Sequence, residues 1–343
     1  MKGAAPSAQS KAQGAQQVVS DPVRLREPLV RHIFTADPSA HVFDGQIYIY
    51  PSHDIETGIP QNDEGDHFDM MDYHVLSFRD FDSNVIDHGV ALHVRDVPWA
   101  RKQMWAPDAA YKDGTYYLFF PAKDHQGVFR IGVATSAQPA GPFAARPEPL
   151  PESFSIDPCS FVDEDGQAYL YFGGIWGGQL QRWQGGRYEP KPAELPADAP
   201  AIRPRVARLN DDFSGFVDGV HELSIVDESG QLLKAGDTER RFFEASWMHK
   251  RNGTYYFSYS TGDTHYLVYA TSQNPLGPFV FRGRILNPVV GWTTHHSIVE
   301  FKGSWYLFYH DSTLSGGVTH QRCVKVMKLE HQPDGSIKTI DPY

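Results

Sequence analysis

The residue of this chain best suited to acid–base chemistry is a carboxylic acid in an apolar setting. Glu244 directly follows Phe242 and Phe243 and lies three residues before Trp247. Desolvation by such neighbours raises the pKa of a carboxyl group, which is the property that a general acid needs near neutral pH. A structural role is the alternative, in which Glu244 caps a strand end or pairs with one of the arginines at 240–241.

Two more carboxylates occupy an equivalent place in the chain. Asp37, Asp157 and Glu244 each lie eight or nine residues before the glycine of a predicted tight turn. One such residue is readily explained as a strand cap, whereas three at nearly the same offset predict a shared site. Two carboxylates facing a pocket, one ionised and one protonated, are the catalytic groups of glycoside hydrolysis. A third can keep the acid protonated by like-charge repulsion and help to orient it.

Five segments of the chain have the signature of a β-hairpin. Each combines a strand end, a tight turn with glycine and an aromatic-rich strand of alternating pattern. They are VFDGQIYIYPS (42–52), YKDGTYYLFFPA (111–122), VDEDGQAYLYFGG (162–174), HKRNGTYYFSYS (249–260) and FKGSWYLFYHD (301–311). Two further segments, GVATSAQPAGPF from Gly132 and VYATSQNPLGPF from Val268, match each other and extend the repeat.

Repeated hairpins predict an all-β fold, a five-bladed β-propeller that spans residues 23–343 as a single domain. Radial repetition leaves only short, protected sheet edges. The innermost strand of each blade should line the central axis, where polar residues upstream of the hairpins would converge. Such residues include Trp105 and Asp108 before the second hairpin, and His295 and His296 before the fifth. A pair of packed β-sheets is the structural alternative.

Composition narrows the possible partners. The formal net charge is −11 without a basic cluster, which argues against nucleic acid and anionic membranes. The longest apolar runs fall short of the roughly 20 residues of a membrane span. Cys159 and Cys323 are predicted to be free thiols. Residues 1–22 are predicted to be a flexible tail without the apolar segment of a secretory signal, so the compartment and the oligomeric state stay open.

The set of motifs, in this order, resembles glycoside hydrolase family 43 over roughly residues 28–343. The motifs are ADPSAHVFDGQIYIY, WAPDAAYKDGTYYLFF, SIDPCSFVDEDGQAYLYFGG, FFEASWMHKRNGTYYFSYS and HHSIVEFKGSWYLFYHD. The resemblance implies a five-bladed propeller, an inverting mechanism and plant-polysaccharide substrates. By position, Asp37 resembles the general base and Glu244 the general acid. Asp157 resembles the carboxylate that tunes the pKa of the acid and orients it.

The resemblance also implies a metal ion and a substrate contact. His295 resembles an axial histidine that often binds a divalent cation, commonly calcium, largely through water. Calcium prefers six to eight oxygen ligands, so waters would supply most of them. Arg322 resembles an arginine that contacts the substrate and a catalytic carboxylate. The chain departs from the family pattern where Ala-Ser follows Glu244 in place of Gly-Pro, and where Thr294 replaces glycine.

These features predict an exo-acting enzyme that releases one pentose from xylo- or arabino-oligosaccharides. β-Xylosidase activity is the first expectation and α-L-arabinofuranosidase activity the second. Trp105, Trp176 and Arg322 are the predicted substrate-binding residues. The insert 54–74 and the GGIWGG loop 173–178 are expected to close a pocket, whereas an open cleft would indicate an endo-arabinanase.

Two other classes of protein are alternatives. A carbohydrate-binding propeller without activity would be expected to lack at least one of the three carboxylates. A retaining relative that acts on fructans would have its two catalytic carboxyl groups about 5–5.5 Å apart, against about 6.5–9.5 Å in an inverting enzyme.

Overall fold

Five β-sheets follow one another along the chain, each built around one of the predicted hairpins. The computed structural model describes residues 17–343. The first sheet consists of β1 (Val18–Pro22), β2 (Phe34–Phe43), β3 (Gln46–Asp54), β4 (Asp72–Phe78) and β5 (Asn84–His93). The second consists of β6 (Ala100–Lys102), β7 (Asp108–Lys112), β8 (Thr115–Asp124), β9 (Phe129–Ser136) and β10 (Ala144–Ala145).

The other three sheets complete the described chain. The third consists of β11 (Cys159–Val162), β12 (Ala168–Phe172), β13 (Arg205–Arg208) and β14 (His221–Glu222). The fourth consists of β15 (Ile225–Val226), β16 (Glu244–Arg251), β17 (Thr254–Ser260), β18 (Leu267–Ser272) and β19 (Phe279–Leu286). The fifth consists of β20 (His296–Phe301), β21 (Ser304–Asp311) and β22 (Cys323–Leu329). Short 3₁₀ helices cover Val94–Asp96, Trp176–Gly178, Leu180–Trp183 and Thr313–Ser315.

The innermost strands form the closed ring that defines a propeller. Strands β2, β7, β11, β16 and β20 each open a hairpin and contact their counterpart in the next blade, and β20 contacts β2. The protein is therefore an all-β, five-bladed β-propeller, as the repeats predict. The alternative of two packed sheets is wrong, because it would not bring five equivalent strands into a circle.

The turn chemistry explains why the hairpins form where the sequence repeats. Four of the five turns have two central residues, both with positive φ, which is the type I′ pattern that suits the twist of paired strands. These turns are Asp44-Gly45, Asp113-Gly114, Asn252-Gly253 and Lys302-Gly303. Aromatic residues of the following strands, such as Phe119, Tyr171, Phe257 and Phe308, are fully buried. Most hairpin aromatics therefore pack the blades rather than bind a ligand.

The segment before β2 closes the ring onto blade five. The N–H of Leu29 donates to the carbonyl of Val324 (2.9 Å), and the N–H of Arg26 donates to that of Val326 (2.8 Å). This part of the chain thus lies beside β22 as an extra edge. The seam between the first and last blades is where Arg322 is held.

The predicted tail of residues 1–22 only partly overlaps the described chain, because residues 1–16 lie outside it. Its last residues form β1, which pairs with β5 at the edge of blade one, with Val18 opposite Asp87. Val18 and Val19 are exposed. Backbone hydrogen bonds rather than burial hold β1, so the sequence carried no hydrophobic signal for a strand ahead of residue 23.

Two other features bear on the sequence-based expectations. Among residues 17–343, no helix combines the length and the apolar character needed to cross a membrane. Cys159 and Cys323 are both buried and unpaired, as predicted.

Candidate active site

A pocket of about 750 Å³, its open mouth included, lies over the ring of inner strands. It is lined by residues contributed by all five blades. Every predicted site residue belongs to this lining: Asp37, Trp105, Asp157, Trp176, Glu244, His295 and Arg322. Asp108 and His296, which the sequence also singled out, are not in the lining. Asp108 accepts hydrogen bonds from the N–H and Oγ of Ser160, and His296 pairs with Ser258 (2.6 Å).

Backbone irregularities present the carboxylates to the pocket. Strand β2 has a bulge at Asp37, and β16 has one directly after Glu244. Asp37 and Asp157 have φ angles of 47° and 56°, in the left-handed region that non-glycine residues rarely adopt. Bulges next to active sites re-aim side chains, and each such strained residue costs about 1–3 kcal/mol. The regular backbone pairing of the inner strands is therefore interrupted where the carboxylates face the pocket.

Asp37 is held ionised by a buried guanidinium. Arg322 Nη1 donates a 2.9 Å hydrogen bond to Asp37 Oδ1. Burial by itself would raise the pKa of Asp37, but the nearby charges, Arg322 foremost, hold the pKa below its ordinary value. Asp37 is therefore a carboxylate throughout the neutral range.

His310 supports the bulge at Asp37 without forming an ion pair. The N–H of Asp37 donates to His310 Nδ1 (2.9 Å), so Nδ1 is unprotonated and Nε2 donates to the carbonyl of Thr293 (3.0 Å). Burial, followed by the charge of Arg322, lowers the pKa of His310 to about 4. The ring is thus neutral, and its 3.4 Å approach to Asp37 Oδ1 is not a salt bridge. No local motif marks His310, which lies within an aromatic strand.

Asp54 anchors the arginine that controls Asp37. Its Oδ2 accepts from Arg322 Nε (2.8 Å) and its Oδ1 from Nη2 (2.7 Å), a bidentate pair with both side chains buried. The ring of Phe68 covers the guanidinium, with its centroid 4.8 Å from Cζ. No local motif marks Asp54, because its partner Arg322 is 268 residues away in the chain.

Glu244 has the opposite electrostatic setting. Burial, followed by the negative charge of Asp37, raises the pKa of Glu244 to about 8. Its carboxyl group receives no hydrogen bond that would favour the ionised form from any residue in 17–343. The structural alternative for Glu244 is wrong in one respect, since Arg240 pairs with Asp237 and Arg241 with Asp263.

Asp157 differs from the expectation that it simply acts as a fixed negative charge on Glu244. Burial, followed by the charges of Glu244 and Asp37, raises the pKa of Asp157 well above its ordinary value. A 2.7 Å hydrogen bond from the N–H of Ala245 to Oδ2 opposes this shift. Asp157 and Glu244 thus form a coupled pair that retains a proton near neutral pH.

Two loops close over the pocket and contact each other. Arg182, beyond the GGIWGG loop, donates to both carboxylate oxygens of Glu64 in the insert (2.7 and 2.8 Å). Trp105 donates from Nε1 to the carbonyl of Phe68 (2.7 Å), and its ring lies so close to Gly65 that a Cβ there would be 2.6 Å away. The insert is therefore locked against blade two and blade three, and it narrows the entrance.

The comparisons with known proteins agree with this geometry. The model of the glycosyl hydrolases family 43 matches residues 26–337. The chain belongs to glycoside hydrolase family 43. Members of this family hydrolyse glycosidic bonds with inversion, so the chain is an inverting glycoside hydrolase and the retaining alternative is wrong.

Close relatives cover nearly the whole chain. Xylosidase/arabinosidase 43A of Humicola insolens is 59% identical over 324 residues, which are 92% of this chain and 99% of the relative. A β-xylosidase of Xylanibacter ruminicola is 52% identical over 310 residues, 90% of this chain and 97% of the relative. The crystal structure of a family 43 β-xylosidase/α-arabinofuranosidase from a compost microbial metagenome, a calcium-free form with xylotriose, has a TM-score of 0.92. It is 64% identical and covers 95% of this chain and 99% of its own.

The structure explains one departure from the family pattern. Ala245 follows Glu244 where the family commonly has glycine, and its φ of 66° lies in the region that glycine adopts without steric cost. The N–H of Ala245 is the group that donates to Asp157. This position needs the left-handed backbone for that hydrogen bond, so alanine keeps the conformation at some cost in strain.

His295 lies in the pocket wall at the position implied for a family 43 metal ion. Nδ1 accepts the N–H of His296 (2.8 Å), so Nε2 carries the ring hydrogen, and this buried N–H has no hydrogen-bond partner among the described residues. Asp157 Oδ2 is 3.8 Å from Nε2. Within 17–343, no group of three metal-ligating side chains surrounds His295. These residues fit an ion that keeps most of its water and approaches Asp157; a direct bond to His295 Nε2 would need the ring hydrogen to move to Nδ1, with loss of the hydrogen bond from His296.

Replacing Asp54 by Asn should weaken both the fold and the catalytic site. The variant removes one charge from a buried ion pair, which typically costs about 3–5 kcal/mol of unfolding free energy. Loss of the anchor should also displace Arg322 from Asp37 and lower kcat/KM on an aryl glycoside roughly 100-fold. Urea unfolding and steady-state kinetics measure the two effects.

Glu56→Gln is the matched control, since Glu56 lies two residues further along the same segment and is exposed. It should unfold at the same urea concentration as the wild type. Wild-type stability and kinetics in Asp54→Asn would show that the anchor has no such role.

Proposed function

We propose that this protein is an exo-acting β-xylosidase with α-L-arabinofuranosidase as a second activity, and that it releases one terminal pentose with inversion. The observation that carries the proposal is the opposite electrostatic setting of two carboxyl groups in one closed pocket: Asp37 is ionised, whereas the pKa of Glu244 is about 8. The names of the close relatives and the xylotriose bound to one of them support a xylo-oligosaccharide substrate.

In this proposal Asp37 is the general base and Glu244 the general acid. Arg322 contacts Asp37 Oδ1, so Oδ2 is the oxygen that takes a proton from the attacking water. Protonated Glu244 donates its proton to the glycosidic oxygen as the bond to the anomeric carbon breaks. Water attacks the face opposite the leaving group, so the anomeric configuration inverts. The enzyme is reset when Asp37 loses its proton and Glu244 regains one.

Asp157 and Arg322 are positioning residues for this pair. Asp157 accepts the N–H of Ala245, which immediately follows the acid, and so orients the loop that carries Glu244. Because the two carboxyl groups share a proton, its loss is opposed by the like charge that would then lie beside it. Arg322 keeps Asp37 ionised and lines the pocket, where a sugar hydroxyl could replace Thr293 Oγ1 as the second partner of Nη1.

Sugar recognition is assigned to the aromatic walls of the pocket. Trp105 is fixed by its hydrogen bond to Phe68, which makes its ring a rigid surface for a sugar face. Trp176 is 37% exposed at the pocket and packs near Trp292, with ring centroids 5.6 Å apart. The contact between Glu64 and Arg182 joins the insert to the segment after the GGIWGG loop, and a pocket closed on that side would favour a chain end over the middle of a polymer. An endo-arabinanase would need that side open.

The test of the proposal is a panel of aryl pentosides with proton NMR of the first sugar released. A β-D-xyloside should be the best substrate and should yield α-xylose before mutarotation, and an α-L-arabinofuranoside should react more slowly. Faster cleavage of linear arabinan in mid-chain than of any aryl pentoside would assign the endo activity instead. No turnover of any pentoside would overturn the proposal.

A calcium ion near His295 is a further part of the proposal. The carboxylate of Asp157 and, once the ring hydrogen has moved to Nδ1, Nε2 of His295 would hold the ion, mostly through its water shell. When bound, such an ion adds positive charge to the base of the pocket. Chelation should lower Tm and activity, and calcium should restore both. Metal analysis that finds no stoichiometric cation, together with indifference to chelator, would remove calcium from the proposal.

Replacing either catalytic carboxyl group should abolish most activity without unfolding the protein. Asp37→Ala and Glu244→Ala should each lower kcat on xylo-oligosaccharides by roughly 100-fold to 10,000-fold, the usual contribution of acid–base catalysis. The Glu244 variant should keep more activity on an aryl xyloside with an acidic phenol, because that leaving group needs little protonation. Asp37→Ala should show no such rescue. Near wild-type turnover in both variants would contradict the assignment.

Replacing Asp157 by Asn should move the alkaline limb of the pH–rate profile to lower pH. The rate requires protonated Glu244, so activity falls as pH rises through the pKa of the coupled pair, about 8 for Glu244. Removing the ionisable partner leaves less negative charge beside Glu244 and so lowers its pKa. A profile of kcat/KM against pH for both proteins measures the shift. If Asp157 only orients the loop, activity falls and the limb does not move.

A further inference from the structure

A second cluster of metal-ligating side chains lies outside the catalytic pocket, on blade one. His53, Asp72 and His74 each offer one ligand atom, and these three atoms all lie within 4.8 Å of one another. None of the three belongs to the pocket lining. Their side chains are 17%, 16% and 12% exposed, so the cluster is sheltered but open to a small ion.

The cluster lies at the neck of the pocket-closing insert. His53 is next to the last residue of β3, and Asp72 is the first residue of β4. Between them, residues 55–71 leave the sheet and carry pocket-lining side chains such as Phe68 and Met70. A hydrogen bond between His53 Nδ1 and Asp72 Oδ1 (2.6 Å) joins the two ends of this segment. Any ion held by these residues would therefore act on the loop that closes the pocket.

The surroundings of His74 are those of a metal ligand. Its Nδ1 is 2.9 Å from Asp87 Oδ1, and Asp87 is 2% exposed. Asp87 is further held by His32 Nε2 (2.8 Å) and by the N–H of Gly89 (2.8 Å), so it is a fixed carboxylate. Nδ1 of His74 therefore carries the hydrogen, and Nε2 has a free lone pair. Metal-bound histidines almost always donate their other ring N–H to such a carboxylate or carbonyl.

We propose that His53, Asp72 and His74 bind a late first-row transition metal, with zinc as the representative ion, at the neck of the pocket loop. Two imidazoles and one carboxylate, with water in the fourth position, are a ligand set that zinc accepts. Calcium is expected to bind this ligand set weakly, since calcium requires mostly oxygen ligands. This site is separate from the proposed cation near His295, and it needs no part of the proposed activity.

Binding requires all three side chains to shift, since ligand atoms up to 4.8 Å apart must come to tetrahedral spacing. Ligand atoms of a tetrahedral zinc site lie about 3.3 Å apart, so His53 and Asp72 must separate by some tenths of an ångström from their hydrogen bond. The hydrogen on His53 Nδ1 moves to Nε2 as Nδ1 becomes a ligand, so the imidazole stays neutral and Asp72 Oδ1 is freed to bind the ion. The ion then replaces a single hydrogen bond by a stronger link across the ends of residues 55–71. Such a clip lowers the freedom of the loop.

The test uses the full-length protein stripped with chelator and then titrated with zinc in a calorimeter and by thermal unfolding. The wild type should bind one zinc ion per chain at this site and gain Tm, and zinc should protect residues 55–71 from limited proteolysis. His74→Ala should lower zinc affinity by more than about 100-fold, beyond the usual effect of losing only an outer partner. His53→Gln is the second variant, in case His74→Ala folds poorly. For each variant, the Tm measured with zinc is compared with the Tm of the same variant in chelator.

The controls separate this site from the rest of the molecule. His125→Ala removes an exposed histidine in the turn between β8 and β9 and should bind zinc as the wild type does. His74→Ala should keep its activity in chelator within about twofold of the wild type, since His74 does not line the pocket. When cobalt replaces zinc in the wild type, the visible absorption bands should be those of a four-coordinate cobalt ion. His74→Ala should lack these bands. Equal zinc affinity of the wild type and both cluster variants, or zinc binding lost only in His295→Ala, would overturn the proposal.

Discussion

The buried guanidinium of Arg322 is the interaction on which the site depends. It joins Asp54 at the end of β3 to Asp37 in the innermost strand of the same blade, and it comes itself from the last blade. A buried arginine is stable only when its charge is paired and its donors are used. Its position depends on ring closure, in which the backbone ahead of β2 pairs with β22. The ionised state of Asp37 therefore depends on closure of the propeller ring, which brings Arg322 next to it.

The same enclosure has opposite effects on carboxyl groups a short distance apart. All three are desolvated, which favours the protonated form. Asp37 overcomes this with a paired cation, whereas Glu244 has none and Asp157 has one backbone N–H. The difference in pKa between Asp37 and Glu244 therefore arises chiefly from the placement of Arg322 beside Asp37. Environments that separate the pKa values of two titratable groups are how acid and base roles are divided in many enzymes.

Blade one contributes more to the site than the fivefold repeat requires. Its insert between β3 and β4 covers the entrance, contacts Arg182 through Glu64, and supplies the ring that covers Arg322. The inner strands form a rigid base for the pocket, and the insert determines the shape of the pocket entrance. Specificity carried on a loop above a rigid scaffold can vary without disturbing the catalytic groups. The histidine cluster at the neck of the insert lies where the loop meets that scaffold.

The sequence by itself determined the blades and the three carboxylates. Hairpin turns and alternating aromatic strands are local signals in the sequence. Few folds other than a propeller accommodate five such hairpins in succession. The offset of Asp37, Asp157 and Glu244 from their turns then indicated a common centre. Local patterns failed at β1, because an exposed edge strand held by backbone hydrogen bonds has no hydrophobic period.

Only the tertiary structure decided how the carboxylates differ. The roles of Asp54 and His310 come from partners 268 and 273 residues away, and no local pattern encodes such a distance. The same is true of the coupling between Asp157 and Glu244, since the pKa of each depends on burial and on charges brought close by ring closure. Residue type and spacing can place a group in a site. Its charge state is a property of everything packed around it.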